Sequence, residues 1–98
     1  MIKNEQKFRK WISENKKGSN LEIENSINSK ISILNVVSIL IGEDISEENL
    51  FDEICVELIS HKLRPYRNGK SISGYKLVLK QYAKMIENLK QNTLANTS

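Results

Sequence analysis

Apolar residues recur along this chain at helical rather than strand spacing. Phe8, Trp11 and Ile12 stand at i, i+3 and i+4, one stripe on a short helix over about residues 4–16. Lys16 and Lys17 place cations near its end, and Gly18-Ser19-Asn20 supplies a glycine stop and a polar turn. A second helix is predicted from Leu21 to Ile41, where Ile23, Ile27, Ile31 and Leu34 repeat at intervals of four, four and three. From Ile33 to Ile41 it is apolar except for Asn35 and Ser38. The β-branched content there also suits a strand, but length and continuity favour a helix buried nearly all round. Gly42 ends it.

Ser46, followed by Glu47 and Glu48, reads as an N-cap with acidic residues in the first turn. It opens a third helix over about residues 47–61, whose apolar face is Leu50, Phe51, Ile54, Leu58 and Ile59. Pro65 disfavours helix at Arg64, and Arg64-Pro65-Tyr66-Arg67-Asn68-Gly69-Lys70 is the clearest turn in the sequence. Ser71 or Ser73 then caps a fourth helix running to about Gln91. Ile72, Tyr75, Leu79, Tyr82, Ile86 and Leu89 alternate at three and four residues, the strongest periodicity present. Residues 1–91 therefore form one all-α domain of four helices, and residues 92–98 form a polar, disordered tail. The predicted core is Trp11, Ile27, Ile31, Leu34, Val37, Phe51, Ile54, Leu58, Tyr75, Leu79, Tyr82 and Ile86.

Composition narrows the function. Ninety-eight residues leave no room for a second independent core. No unbroken apolar run exceeds three residues, so no segment spans a bilayer. No secretory signal opens the chain. One cysteine and one histidine make neither an internal disulfide nor a zinc site. The expectation is a non-catalytic, cytoplasmic protein without metal or other cofactor. Cys55 and His61 lie six residues apart, roughly 120° around a helix, which does not make a nucleophilic pair. Cys55 reads as a small core or boundary group and His61 as a helix-end residue.

The net charge of +3 conceals a block pattern. Residues 1–20 hold six cations and two anions, residues 21–59 one cation and nine anions, and residues 60–98 eight cations and one anion. The expectation is a basic surface built from both ends and an acidic surface on the middle. Lys76, Lys80 and Lys84 recur every four residues, a row of about 12 Å that suits a phosphate backbone. Arg64, Arg67 and Lys70 stand at the start of the same helix with the Ser71 and Ser73 hydroxyls, a setting that suits a phosphate. Tyr66, between two arginines, stands either to stack on a base or to pack over the helix ends.

The fourth-helix opening Ser71-Ile72-Ser73-Gly74-Tyr75, continuing to Leu79 and Tyr82, resembles a pattern in the core-binding domain of tyrosine recombinases and phage integrases. Ser26-Ile27 with Leu34 and Val37 is a weaker copy at the same offsets. Phe8-Arg9-Lys10-Trp11-Ile12 is similar to that family's first helix. The segment from Glu24 to Lys30 also resembles N-terminal modules of bacterial restriction and defence proteins. The resemblance implies an orthogonal, SAM-like four-helix bundle that clamps duplex DNA with the starts of its second and fourth helices. Lys30 departs from the pattern, standing where its tyrosine would fall, and becomes a candidate phosphate contact. The catalytic domain of a recombinase does not fit within this length, so DNA binding is the expected role. The expected contacts are Lys30, Arg64, Arg67, Lys70, Ser71, Ser73, Lys76, Lys80 and Lys84. The alternative is a small interaction module, of the kind that inhibits a host machine, working through Glu43, Asp44, Glu47, Glu48, Asp52, Glu53 and Glu57. Besides duplex DNA, a catalytic domain or another protein is the expected partner.

Overall fold

A computed structural model describes residues 2–15 and 18–97, with the side chains of residue 20 and residues 92–97 outside that description. It is an all-α domain of four helices: α1 (Glu5–Asn15), α2 (Asn20–Ile41), α3 (Glu53–Leu63) and α4 (Gly69–Thr97). α2 and α4 form the central pair. Each touches every other helix, whereas α1 and α3 each pack on α2 and α4 but not on one another. No helix among the described residues is long and apolar enough to cross a membrane.

The helix boundaries follow from local capping chemistry. Ser19 Oγ accepts the Glu22 N–H at 3.2 Å and starts α2; the Lys16 and Lys17 cations expected near the end of the first helix lie outside the described residues. Gly42 closes α2 in the left-handed region at φ 70°, with its N–H donated to the Ser38 carbonyl. The Ser38 hydroxyl donates to the Glu43 carbonyl at 2.7 Å. A serine inside an apolar helix thus serves the helix end and is not an unsatisfied core group.

α3 corrects the sequence reading twice. Ser46 does not cap it. The Ser46 carbonyl accepts from Asn49 and Leu50, and Asn49 Oδ1 accepts the Ser46 N–H at 2.9 Å, closing one isolated turn. Short polar side chains that bond nearby backbone compete with helix continuation, so the helix begins only at Glu53. There Asp52 Oδ1 accepts the Cys55 N–H at 2.9 Å. The second correction is the buried face. Cys55, Val56, Ile59 and Leu63 point into the core, whereas Ile54 is 71% and Leu58 58% exposed. Phe51 is also exposed, its ring capped by the Lys90 ammonium at 4.8 Å. The fully buried Leu50 precedes the helix, and the intervening turn breaks the register that would join it to Ile54 and Leu58.

The remaining core is largely as the periodicity predicts. Ile27, Ile31, Leu34 and Val37 from α2 join Leu79, Tyr82 and Ile86 from α4 in one cluster, with Phe8 and Ile12 from α1. Trp11 and Tyr75 are partly buried at the margin; Trp11 stacks on Phe8 at 6.5 Å. Tyr82 packs against Phe8 at 5.6 Å, and its hydroxyl donates to the Lys3 carbonyl at 2.7 Å. The N-terminal segment is further held where Lys3 N–H meets the Ile45 carbonyl at 2.7 Å. α4 starts two residues earlier than predicted, because Asn68 Oδ1 accepts the Ser71 N–H at 2.9 Å. It continues to Thr97, beyond the predicted end near Gln91 and into the segment expected to be disordered.

Candidate nucleic-acid interface

α4 has a charged outer face opposite its core face. Lys70, Ser73, Leu77, Lys80 and Lys84 are all exposed. Their spacing of three, four, three and four residues puts them on one stripe about 21 Å long. The sequence row of Lys76, Lys80 and Lys84 is a poorer description of this face. A strict interval of four drifts about 40° around a helix at each step, which carries Lys76 toward α3. There its Nζ sits 2.7 Å from Glu57 Oε1, with the side chain only 29% exposed. The pair, reinforced by Lys80 and His61, holds the Glu57 carboxyl below the usual carboxylate range. Lys70, Lys80 and Lys84 form no salt bridge among the described residues.

A cleft of about 510 Å³ opens at the α3–α4 corner beside this stripe. Arg64 and Arg67 line it, with His61 at the end of α3, Gly69 and Ser73 from the first turns of α4, and the Glu57–Lys76 pair. Arg67 is braced locally: Nη1 donates to the Tyr66 carbonyl at 2.9 Å and Nε to Tyr75 Oη at 3.4 Å. Tyr66 itself is 54% exposed, so it does not pack away over the helix ends. Ser73 lies on both the cleft and the stripe and joins them. Its hydroxyl donates to the Gly69 carbonyl at 2.9 Å, leaving oxygen lone pairs and no second proton for a phosphate. Ser71 lies inside the first turn and is not the cap. Asn68 takes that place.

Lys30 is not part of the cleft. Its Nζ donates to Gln81 Oε1 at 2.9 Å, joining α2 to α4. Gln81 neighbours Leu77 and Lys84 on the helix surface, so Lys30 borders the stripe from the α2 side with its ammonium held. The residues missed from sequence are Leu77 and His61. Leu77, 67% exposed among lysines, was legible as the centre of the face opposite Ile72–Tyr75–Leu79. His61 enters only because the turn at Pro65 folds the end of α3 back over the start of α4.

The acidic middle is broken up by the basic ends. Glu43 Oε2 receives Lys62 Nζ at 2.6 Å, Glu57 receives Lys76, and Glu47 Oε2 accepts from Asn4 Nδ2 at 2.8 Å. Glu47 is held below the usual range by its own backbone N–H, the Asn4 amide, Lys3 and Lys7. Asp52 is lowered mainly by the Cys55 N–H it accepts, with Lys90 assisting. Lys62 and Lys76 of the basic C-terminal third thus fold against Glu43 and Glu57 of the acidic middle. Among the described residues no group of three or more His, Cys, Asp or Glu side chains is placed to hold a metal ion. Cys55 is buried and His61 exposed, on different sides of α3.

Comparison with protein-family models, curated proteins and solved structures gives no match.

Proposed function

We propose that this chain is a non-catalytic domain that grips duplex DNA through its phosphates. The exposed stripe Lys70–Ser73–Leu77–Lys80–Lys84, joined at Ser73 to the Arg64–Arg67 cleft, carries the reading. Three lysines without salt bridges on a rigid helix over about 21 Å match roughly six base-pair steps of duplex at 3.4 Å each. Two arginines at the helix start add planar donors suited to phosphate oxygens. The helix N-terminus beside them favours an anion. These groups reach backbone and not base edges, so the expected binding tolerates sequence.

Lys76 is left out of the contact set because Glu57 neutralises it, and Lys30 contributes charge from the margin. Use as the N-terminal module of an integrase, recombinase or defence enzyme fits this reading and rests on the motif resemblance. The rival reading, a partner met through the acidic middle, is weaker because Glu43, Glu47, Asp52 and Glu57 already face cations or donors of the chain itself. Fluorescence anisotropy of a labelled duplex tests the proposal. Four or five phosphate contacts give a slope of log affinity against log salt of about −4, and affinity equal on unrelated sequences. Absence of binding at low salt contradicts it.

A further inference from the structure

The exposed face of α3 has an unpartnered seam. Ile54, Leu58 and His61 recur at four and three residues, with Glu57 beside Leu58, on the side opposite the buried Cys55, Val56, Ile59 and Leu63. Exposed apolar residues elsewhere, such as Ile39 or Leu21, occur singly and need no explanation. Here two large aliphatic side chains, 71% and 58% exposed, sit one turn apart on one short helix. That spacing is what a partner helix covers.

Charge identifies the occupant. Glu53 and Glu57 stand at the N-terminal half of α3, and Arg64 at its C-terminal end on the same flank, since Glu57 and Arg64 line the same cleft against α4. Arg64 keeps helical backbone angles, φ −53° and ψ −41°, so the flank runs on through it. Acid first and base last also complements the helix dipole, but the dipole gives no reason for an exposed aliphatic seam beside those charges. When two identical helices pair antiparallel about a two-fold axis, the same flank of each meets in reversed order. Glu53 of one copy then falls opposite Arg64 of the other, twice over, with Leu58 meeting its own counterpart near the axis. We infer that the α3 face is a self-complementary surface that pairs with a second copy of this chain in an antiparallel, two-fold arrangement. An 11-residue helix offers less than a standard interface, so the dimer is weak and reversible. Arg64 belongs both to this face and to the cleft proposed to hold phosphate, so the two uses compete for it. The assay contains no nucleic acid and reads self-association alone.

Sedimentation equilibrium of the full chain, from micromolar to millimolar concentration, is the test. The expected result is a monomer–dimer equilibrium that dissociates on dilution. Ile54→Glu and Leu58→Glu each weaken it by tenfold or more, with helicity unchanged because both side chains are exposed. Glu53→Lys and Arg64→Glu each weaken self-association alone, and mixing the two variants restores a dimer, since the new Lys faces the new Glu while the other contact stays native. A chain monomeric throughout the range, a dimer indifferent to Ile54→Glu and Leu58→Glu, or a mixture that fails to recover would each overturn the inference.

Discussion

Lys76 Nζ lies 2.7 Å from Glu57 Oε1, and this pair divides the lysines of α4 into two kinds. Lys76 is a tie between α3 and α4. Lys70, Lys80 and Lys84 are exposed on the stripe that faces away from the core. A row that looks uniform in sequence therefore has unequal members, and the distinction can be measured.

Glu57, Glu47 and Asp52 are all held below the ordinary carboxylate range in the folded chain. A carboxyl depressed by folding contributes stability above its unfolded value and loses it as pH falls through the folded one. Urea midpoints measured across pH should be flat near neutrality and fall progressively below about pH 4. Glu57→Gln should flatten part of that acid limb. An acid limb unchanged by Glu57→Gln removes the pair as a contributor.

The register of α3 is testable by two conservative deletions. Ile59 is 3% exposed and Ile54 71%. Ile59→Ala should cost about 2–4 kcal/mol by emptying core volume. Ile54→Ala should stay within about 0.5 kcal/mol at concentrations where the chain is monomeric. Equal losses would mean that α3 faces the core differently.

Tyr82 holds the N-terminal segment to α4 through the Lys3 carbonyl, and burial pushes its phenol upward. Tyr82→Phe keeps the ring but leaves that carbonyl without its donor, a loss of about 1–2 kcal/mol. Denaturant unfolding gives the number, and amide exchange at Lys3, whose N–H donates to the Ile45 carbonyl, should quicken first if the hydroxyl is what secures this segment.

Gly42→Ala tests the end of α2. At φ 70°, with no atom within 4 Å of where the added methyl would stand, the cost is purely conformational, about 1–2 kcal/mol by thermal or denaturant unfolding. Gly42→Asn should cost less, because asparagine tolerates the left-handed region.

Helix number, order and most of the α2 and α4 core were legible because Ile27–Ile31–Leu34 and Ile72–Tyr75–Leu79–Tyr82–Ile86 keep their period over several turns. α3 was not, for a physical reason. Its start depends on whether Ser46 or Asp52 captures the next N–H groups, and both have the composition of a cap. Placing the start at Ser46 brings Leu50 into phase with Ile54 and Leu58 and assigns the wrong face. The candidate site was legible as a set of cations near one helix, but the division among them was not. Glu57 and Lys76 are nineteen positions apart, and only the turn at Pro65 makes them neighbours. The block pattern of charge concealed the Lys62–Glu43 and Lys76–Glu57 pairs for the same reason, since chain order carries no information about which ends fold over the middle.

Salt-dependent DNA affinity of two variants tests the central claim most directly. Lys70→Gln/Lys80→Gln/Lys84→Gln keeps good helix formers and removes three exposed charges from the stripe. Lys76→Gln removes one charge that Glu57 already holds. The account predicts that the triple variant flattens the slope of log affinity against log salt by about 2.7, at roughly 0.9 per lost contact, while Lys76→Gln leaves the slope near that of the parent. A triple variant with the parent slope and intact helicity, or a Lys76→Gln variant that loses as much per charge, would contradict it.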